Sequence, residues 1–357
     1  MSSIFLSSNA NSSMLQTVES SDSRKNPNIY STETVFPAHA LTWVECAPSS
    51  GAIGDGQQLN FNLQKYGIIS QMLLCYEKAL TSTAVMPAGD FFKTIKQVEL
   101  LASSKTVAIL TAEDFMAQFS DCSQSEFNVV SETVLKARAT GTSHKYTIPL
   151  TFGQMETINT QLDSSFLEPL SVRLHFNTIK TSTDVNNYPA TPAAAMPKCF
   201  LKIRYKNYDE PSTAEMISSN YSSPQLNQLT TRYYSECKKT LSTSAAGTQK
   251  VAIDLKNTEC VEAFYVSVRQ VHATTGDQAY ALHKIDQVTM LGSGQEICKL
   301  DNQQLAYARL SKDGWSESVD VTSSTSGVGI YNVAKIQLGL NSKQMMTNAL
   351  SLREINN

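Results

Sequence analysis

The side chains that most often carry out chemistry are few and scattered in this sequence. None of its histidines stands in a metal-ligand spacing such as H-E-x-x-H, and no G-x-S-x-G hydrolase motif occurs. The five histidines are His39, His144, His175, His272 and His283. His175 lies in a segment of alternating polar and apolar residues, which indicates a histidine within a strand. The histidines therefore predict neither a metal centre nor a catalytic triad.

Pairs of carboxylates are the other candidates, because two of them on either side of a glycosidic bond can hydrolyse it. The candidate pairs are Glu113-Asp114, Asp209-Glu210, and Glu259 with Glu262. Each is explained more simply as a helix cap, a turn or a solvated surface group. The sequence thus predicts no catalytic, cofactor-binding or metal-binding residue.

Composition excludes some functions. Charged residues make up 17% of the chain and the net charge is −3, whereas an average soluble protein has about 25% charged residues. The strongest basic cluster is only Arg24-Lys25. Because neutralising phosphates needs many cations on one surface, no direct, sequence-specific binding of nucleic acid is expected.

The cysteines indicate the redox environment. There are seven, with no C-x-x-C pair, and some lie in apolar runs such as Leu73-Leu-Cys-Tyr76. They are Cys46, Cys75, Cys122, Cys199, Cys237, Cys260 and Cys298. This pattern predicts buried, reduced thiols and folding in a reducing compartment. No signal-peptide pattern and no run of 18 apolar residues is evident, so neither secretion nor a membrane span is expected.

The chain repeats itself. Residues 95–110 align without a gap on residues 285–300, at an offset of 190. The identical pairs are Ile95/Ile285, Gln97/Gln287, Val98/Val288, Leu101/Leu291, Ser103/Ser293 and Leu110/Leu300. Upstream, Leu59–Leu63 matches Val251–Leu255 at an offset of 192. A period this long indicates a duplicated domain, since solenoid repeats run about 20–50 residues.

The repeated segments predict strands and hairpins. Polar and apolar residues alternate in both Leu59–Leu63 and Val251–Leu255, as in strands with one buried face. The longer match reads as strand, turn and strand, and Thr111 and Asp301 follow as N-caps of a short helix. Val98 and Val288 are then expected to be equivalent core positions.

Many short strands separated by turns predict an all-β protein: two tandem eight-stranded jelly-roll sandwiches with short helical inserts. Residues 1–33 form a flexible Ser/Asn-rich N-terminal arm, 34–206 the first jelly roll, 207–240 a linker or crossover, and 241–357 the second jelly roll. Thr181–Pro197 and Thr322–Gly327 are surface loops in this interpretation. The arm is either a disordered tail or an assembly arm that orders against a neighbour.

Several segments resemble a known family. Ile95–Val107 is similar to the strand and hairpin of the double jelly-roll major capsid proteins of icosahedral DNA viruses and phages, the adenovirus/tectivirus-like and nucleocytoplasmic large DNA virus lineage. Gly67–Leu74 stands where that family has an early core strand. Lys202–Tyr205 with Ala214–Tyr221 resembles the end of the first roll and the crossover. This chain has Ser103-Ser104 where the family's hairpin has glycines.

The resemblance implies a structural role and no enzyme activity. It implies a homotrimer, a pseudo-hexameric capsomer that tiles an icosahedral shell, with neighbouring capsomers, penton and minor capsid proteins as partners. The location would be the virion, after folding in the reducing cytoplasm of the host cell. Whether a membrane lies beneath the shell stays open, and no cofactor is implied.

Two other functions stay open from the residues alone. One is a carbohydrate- or receptor-binding β-sandwich of the spike or lectin type, whose sites usually expose aromatic residues. The only tryptophans here are Trp43 and Trp315. The other is a β-sandwich hydrolase built on one of the carboxylate pairs.

Overall fold

The computed structural model describes residues 3–5, 16–18, 34–35, 39–54, 56–79, 90–121, 129, 134, 143–152, 162–164, 169–177, 198–208, 239, 250–254, 260–261, 263–271, 278–292, 294–305, 333–337 and 350–351. The predicted loops Thr181–Pro197 and Thr322–Gly327 lie outside these residues, as does nearly all of the predicted linker. No helix in this part of the chain is long and apolar enough to cross a membrane.

Strands dominate. In chain order they are β1 (Ser3–Phe5), β2 (Gln16–Val18), β3 (Thr34–Val35), β4 (His39–Cys46), β5 (Ser50–Gly51), β6 (Gln58–Asn62), β7 (Ile68–Ala79), β8 (Ile95–Ala102), β9 (Lys105–Thr111), β10 (Ser143–Pro149), β11 (Leu162–Asp163), β12 (Leu170–Phe176), β13 (Lys198–Tyr208), β14 (Cys260–Val261), β15 (Ala263–Val266), β16 (Val268–Val271), β17 (Gln278–His283), β18 (Gln287–Gly292), β19 (Gln295–Asp301), β20 (Ala334–Gln337) and β21 (Leu350–Ser351). The helices are α1 (Asp90–Thr94) and α2 (Ala112–Asp121).

The first copy is a sandwich of two antiparallel sheets. One sheet has the order β10-β7-β13-β4, with β11 also on β7, and the other has the order β5-β6-β12-β8-β9. The long strands show why they form: in β12, Leu170, Val172, Leu174 and Phe176 are buried, and the residues between them are half-buried. Alternation of this kind puts one face of the sheet into the core.

The two helices close the first core. Phe91 and Phe92 of α1 and Phe115 and Phe119 of α2 are all at most 2% exposed. The Phe91 and Phe115 rings meet edge to face with centroids 5.0 Å apart, a favourable arrangement for aromatic pairs. These helical inserts therefore add an aromatic cluster to the core between the sheets.

The second copy repeats the hairpin of the first, pair by pair. Val98 opposes Leu110 in β8–β9, and Val288 opposes Leu300 in β18–β19. The register shifts between Leu100 and Leu101 in one hairpin and between Met290 and Leu291 in the other. The opposing residue pairs and the register shift thus lie at equivalent positions in the two hairpins, 190 residues apart, which confirms the alignment of the hairpins.

Both hairpins lead into a capped helical turn, as the sequence predicts. Before α2, the backbone N–H of Thr111 donates to Asp114 Oδ2 at 2.7 Å. In the second copy the N–H of Asp301 donates to Gln304 Oε1 at 3.0 Å, and the N–H of Gln304 donates to Asp301 Oδ1 at 2.8 Å. These are capping boxes, in which two otherwise unpaired N–H groups are satisfied.

The same correspondence extends to a second strand pair. In the first copy Leu162 of β11 opposes Ile69 of β7, and in the second Leu350 of β21 opposes Val261 of β14. The N-terminal strands β1 and β2, which lie in the segment predicted as an arm, form a separate three-stranded sheet with β3, which lies directly after it.

One predicted strand is wrong. Residues 250–254 belong to no strand, although they match β6 in sequence. Val251 is 43% exposed and Ile253 is 41% exposed, whereas Leu59 and Phe61 of β6 are buried. In the first copy β6 is held by pairing with β12, and no such neighbour pairs with 250–254 among the described residues. Alternation alone therefore did not make this segment a strand.

Candidate functional site

The structure keeps the candidate histidines apart. His175 of β12 has Nε2 3.2 Å from Glu99 Oε1 of β8, without the geometry of a hydrogen bond. The His144 ring of β10 packs edge-on against Tyr146, with centroids 4.6 Å apart. His39 lies in β4, His283 ends β17, and His272 is outside the described residues. No two of the histidines that the structure describes form a common site.

The candidate carboxylates that the structure describes likewise form no common site with the histidines. Asp114 completes the capping box of α2 with Thr111, and Glu113 precedes it in the same helix. The remaining candidates, Asp209, Glu210, Glu259 and Glu262, lie outside the described residues. Across the part of the chain that is described, no three His, Cys, Asp or Glu side chains are grouped so as to hold a metal ion.

A polar network crosses the outer face of one sheet in the first copy. Gln97 Nε2 donates to Glu99 Oε1 at 2.6 Å, and Arg173 Nε donates to Asn60 Oδ1 at 3.0 Å. The Arg173 guanidinium also lies 3.5 Å from Glu99 Oε2. The network links β6, β12 and β8, so it joins strands that are distant in sequence. Sequence analysis missed it because only the pairing register makes these residues neighbours.

Buried thiols are protonated in this fold. Burial raises the pKa of Cys199 from 9.0 to about 12, and it also raises the pKa of Cys46 and of Cys75. Since the thiolate is the reactive form, these cysteines are poor nucleophiles and poor metal ligands. All three are free, as is the half-buried Cys298. The prediction of reduced, buried thiols is confirmed for Cys46, Cys75 and Cys199.

A buried ion pair joins α1 to the sheet. The Lys78 ammonium of β7 contacts the Asp90 carboxylate, and both side chains are fully buried. Lys78 Nζ also donates to Thr94 Oγ1 at 2.7 Å, and Thr94 Oγ1 donates to the carbonyl oxygen of Asp90 at 2.9 Å. The charges are thus paired and hydrogen-bonded, as buried charges need to be. This cluster was not predicted, because its members come from separate elements.

The outer face of the β4–β13 pair combines apolar and cationic groups. Leu41 and Trp43 of β4 are 53% and 48% exposed, and the Arg204 guanidinium of β13 lies 5.6 Å from the centroid of a Trp43 ring. Lys202 and Lys206 are on the same side of β13. Partial burial and the nearby Arg204 lower the pKa of Lys206. We call this surface the Trp43 face.

The opposite edge of the first sandwich also exposes apolar residues. Strand β9 ends the sheet order, and its Val107 and Ile109 are 43% and 44% exposed. At the matching place in the second copy, Ile297 of β19 is 45% exposed. Edge strands with exposed apolar side chains are typical sites of association.

Comparison with solved structures identifies the fold. The PBCV-1 virus capsid model matches with a TM-score of 0.56 at 10% identity, over 90% of this chain and 83% of that chain. The Faustovirus major capsid protein matches with a TM-score of 0.52 at 9% identity, over 91% and 87% of the two chains. The STIV MCP matches with a TM-score of 0.50 at 10% identity, over 84% and 85%. No family model and no curated protein sequence matches. The all-β double jelly-roll fold predicted from the sequence is thereby confirmed.

Proposed function

We propose that this chain is a structural shell protein, a viral major capsid protein that works by self-assembly and catalyses no reaction. The observation that carries the proposal is that the fold matches over most of the chain. Solved proteins that share it over 84–91% of this chain are named as capsid proteins. A fold can host many functions, so the surfaces of this chain must support the same conclusion.

The described surfaces favour assembly over catalysis. The described histidines lie in strands, and the described acidic candidates lie in the first turn of α2, where Asp114 takes part in the cap. Burial keeps the buried thiols protonated. What the first copy exposes instead are two apolar surfaces, the Trp43 face and the edge of β9. Exposed apolar area of this kind is normally covered by a partner.

The assembly we propose is a homotrimer. Three chains with two sandwiches each give a pseudo-hexameric capsomer that can tile an icosahedral shell. On the Trp43 face, Glu45 of β4 stands opposite Lys202, while Arg204 and Lys206 stand opposite Trp43 and Leu41. The counterpart on a neighbouring chain would therefore place acidic or aromatic groups at Arg204 and Lys206. Tryptophan and arginine are both enriched among the residues that contribute most of the binding energy at interfaces.

The partners and the location that we propose follow from the same capsid role. The proposed partners are neighbouring capsomers and penton and minor capsid proteins, with or without an internal membrane, and the proposed location is the virion. The free, protonated thiols are consistent with folding in the reducing cytoplasm of a host cell. The net charge of −3 suits a shell that does not itself bind the genome.

The direct test is the mass of the purified protein in solution at neutral pH. Three chains of 39.2 kDa would give about 118 kDa by light scattering, and three-lobed or hexagonal particles by negative-stain microscopy. The informative variant is Trp43→Asp, which puts a charge into the Trp43 face and is expected to shift the population toward monomer. Val268→Asp alters an equally exposed residue elsewhere and serves as the matched control. A wild-type monomer at high concentration would contradict the proposal.

A second candidate function rests on one observation, the exposed Trp43 beside Arg204. An exposed aromatic ring next to a hydrogen-bonding group is typical of sugar-binding sites, so a carbohydrate- or receptor-binding role is the alternative. It would be favoured by specific hits on a glycan array that Trp43→Ala removes, in a protein that stays monomeric. Trp315 lies outside the described residues.

A further inference from the structure

The buried pair of Lys78 and Asp90 holds an amine against a carboxyl group where solvent does not reach. Both side chains are fully buried, and Lys78 Nζ contacts Asp90 Oδ2. Oδ2 is bonded to Cγ, the carbon that an amine attacks when it condenses with a carboxyl group. The two reactants of an amide-forming reaction therefore already lie side by side, which removes much of the entropic cost of bringing them together.

The elements that carry the two residues keep them in contact. Lys78 follows Tyr76 by two residues in β7, so both side chains lie on the core side of the sheet. The Tyr76 ring stacks on Tyr146 of β10 with centroids 4.5 Å apart. Asp90 begins α1, and Phe91, the next residue, is 1% exposed. The pair thus stays together for as long as the first sandwich is folded.

The Thr94 hydroxyl touches both reactants. Its Oγ1 lies 2.7 Å from Lys78 Nζ and 3.3 Å from Asp90 Oδ2, and it donates to the carbonyl oxygen of Asp90 at 2.9 Å. A hydroxyl both accepts and donates a proton. A group positioned in this way typically speeds a proton transfer about 10²–10⁴-fold. Thr94 therefore offers a path for a proton from the amine to the oxygen that leaves the carboxyl group.

The surroundings favour uncharged reactants. Water holds free amines and carboxylates as ions and so opposes their condensation, whereas burial disfavours the charged form of both groups. The Tyr76 hydroxyl has no hydrogen-bond partner among the described residues. Burial above all, and then Tyr146 and Asp90, raise the pKa of Tyr76 well above 10, so this hydroxyl adds no charge. The two reactants are thus the charges that a single proton transfer between them removes.

We propose that Lys78 and Asp90 join spontaneously in the folded chain through an isopeptide bond between Nζ and Cγ. One proton passes from the Lys78 ammonium to the Asp90 carboxylate, and the neutral amine attacks Cγ. The N–C bond forms and a C–O bond breaks, while a second proton moves from the nitrogen through the Thr94 hydroxyl to the departing oxygen. One water molecule leaves, and no oxidant or reductant is needed. The reaction occurs once in each chain and is not turnover.

The bond would fasten β7 to α1 covalently without a disulfide. That suits a chain whose cysteines Cys46, Cys75 and Cys199 are free and buried. Chains that have not yet reacted keep the ion pair. The proposal is independent of the capsid role, because both residues lie in one sandwich of one chain.

The test is the mass of the denatured full chain at successive times after cell-free synthesis, followed by peptide mapping. The folded wild type should become lighter by about 18 Da, the mass of one water, and yield a branched peptide that joins Lys78 to Asp90. Wild-type chain kept in urea should stay at its full mass. Lys78→Arg keeps the cation but presents a guanidinium that stays charged, so it should also keep its full mass. Thr94→Val replaces the hydroxyl by a methyl group and should slow the reaction by about tenfold or more.

Resistance to trypsin in parallel shows which variants are folded, and the wild-type mass is decisive even if a variant is not. Folded wild type that keeps its full mass for days would overturn the proposal. So would a loss of water that peptide mapping places elsewhere, or the same loss in Lys78→Arg. A folded Thr94→Val chain that reacts as fast as the wild type would contradict the proton path through Thr94.

Discussion

The hairpins β8–β9 and β18–β19 share their register, their bulge and their following cap, yet they differ sharply in burial. Val98 and Leu101 are buried in the first copy, while Val288 is half-buried and Leu291 is 62% exposed in the second. The difference follows the neighbouring strand, because β12 covers the edge of β8 and has no counterpart on β18 among the described residues. The local sequence pattern thus specifies the hairpin, whereas a strand that is distant in sequence determines whether the hairpin is buried.

The largest expected effect is the difference in stability between substitutions at the two aligned valines, Val98 and Val288. Val98→Asp buries an unpaired carboxylate in the first core and should lower the free energy of unfolding by about 4 kcal/mol or more. Val288→Asp should cost about 1–2 kcal/mol, because a half-buried carboxylate keeps part of its hydration. The sequence predicted that Val98 and Val288 are equivalent core positions, but in the structure Val98 is buried and Val288 is only half-buried. Denaturant unfolding of both variants measures the difference, and equal losses would contradict it.

The buried ion pair belongs to the first copy and should also be costly to break. Lys78→Met leaves the Asp90 carboxylate buried without its cation, for an expected loss of about 3–5 kcal/mol. The double variant Lys78→Met with Asp90→Asn removes both charges and should recover much of that loss. A double-mutant cycle on thermal or denaturant unfolding checks this, and additive losses would show that the two groups are not coupled.

Alkaline pH should affect the first copy through its buried thiol. The pKa of Cys199 is raised from 9.0 to about 12 in the folded chain, so its contribution to stability is fully present below pH 9. It is lost as pH rises from 9 toward 12, because the unfolded chain releases the proton first. Cys199→Ala should therefore lose less stability than the wild type between pH 8 and pH 11. Parallel melting curves in which the two proteins decline equally would contradict the assignment.

The smallest effect compares the two capping boxes. Asp114→Ala should cost about 1–2 kcal/mol and Gln304→Ala about 0.5 kcal/mol, since the first cap is a buried carboxylate and the second an exposed amide. Asn and Glu respectively are the conservative controls, which keep an acceptor at each site. If both alanine variants unfold like the wild type, the caps do not stabilise the helical turns.

The sequence predicted what depends on neighbours in the chain. The gapless match of residues 95–110 with 285–300 predicted two hairpins in one register, and Thr111 and Asp301 were correctly placed as caps. It failed at 250–254, where alternation predicted a strand whose stability depends on a partner far along the chain. The Lys78–Asp90 pair and the Glu99–Arg173 network were missed for the same reason, because only the folded topology makes those residues neighbours.

Residues of the Trp43 face show a further limit. Alternation within β4 predicts which side chains share a face, but not that Trp43 and Leu41 lie on the outer one. That depends on which face of β13 meets the core, where Leu201, Ile203 and Tyr205 are buried. The candidate contact surface is thus a property of the sandwich and not of either strand alone.

The central claim is that this duplicated sandwich is a building block whose own copies cover its exposed faces. The most direct measurement is the mass of the wild-type chain in solution by light scattering, at neutral pH and across a concentration series. The account predicts a species of about 118 kDa, three chains of 39.2 kDa. A mass that stays at 39.2 kDa at every concentration would contradict it.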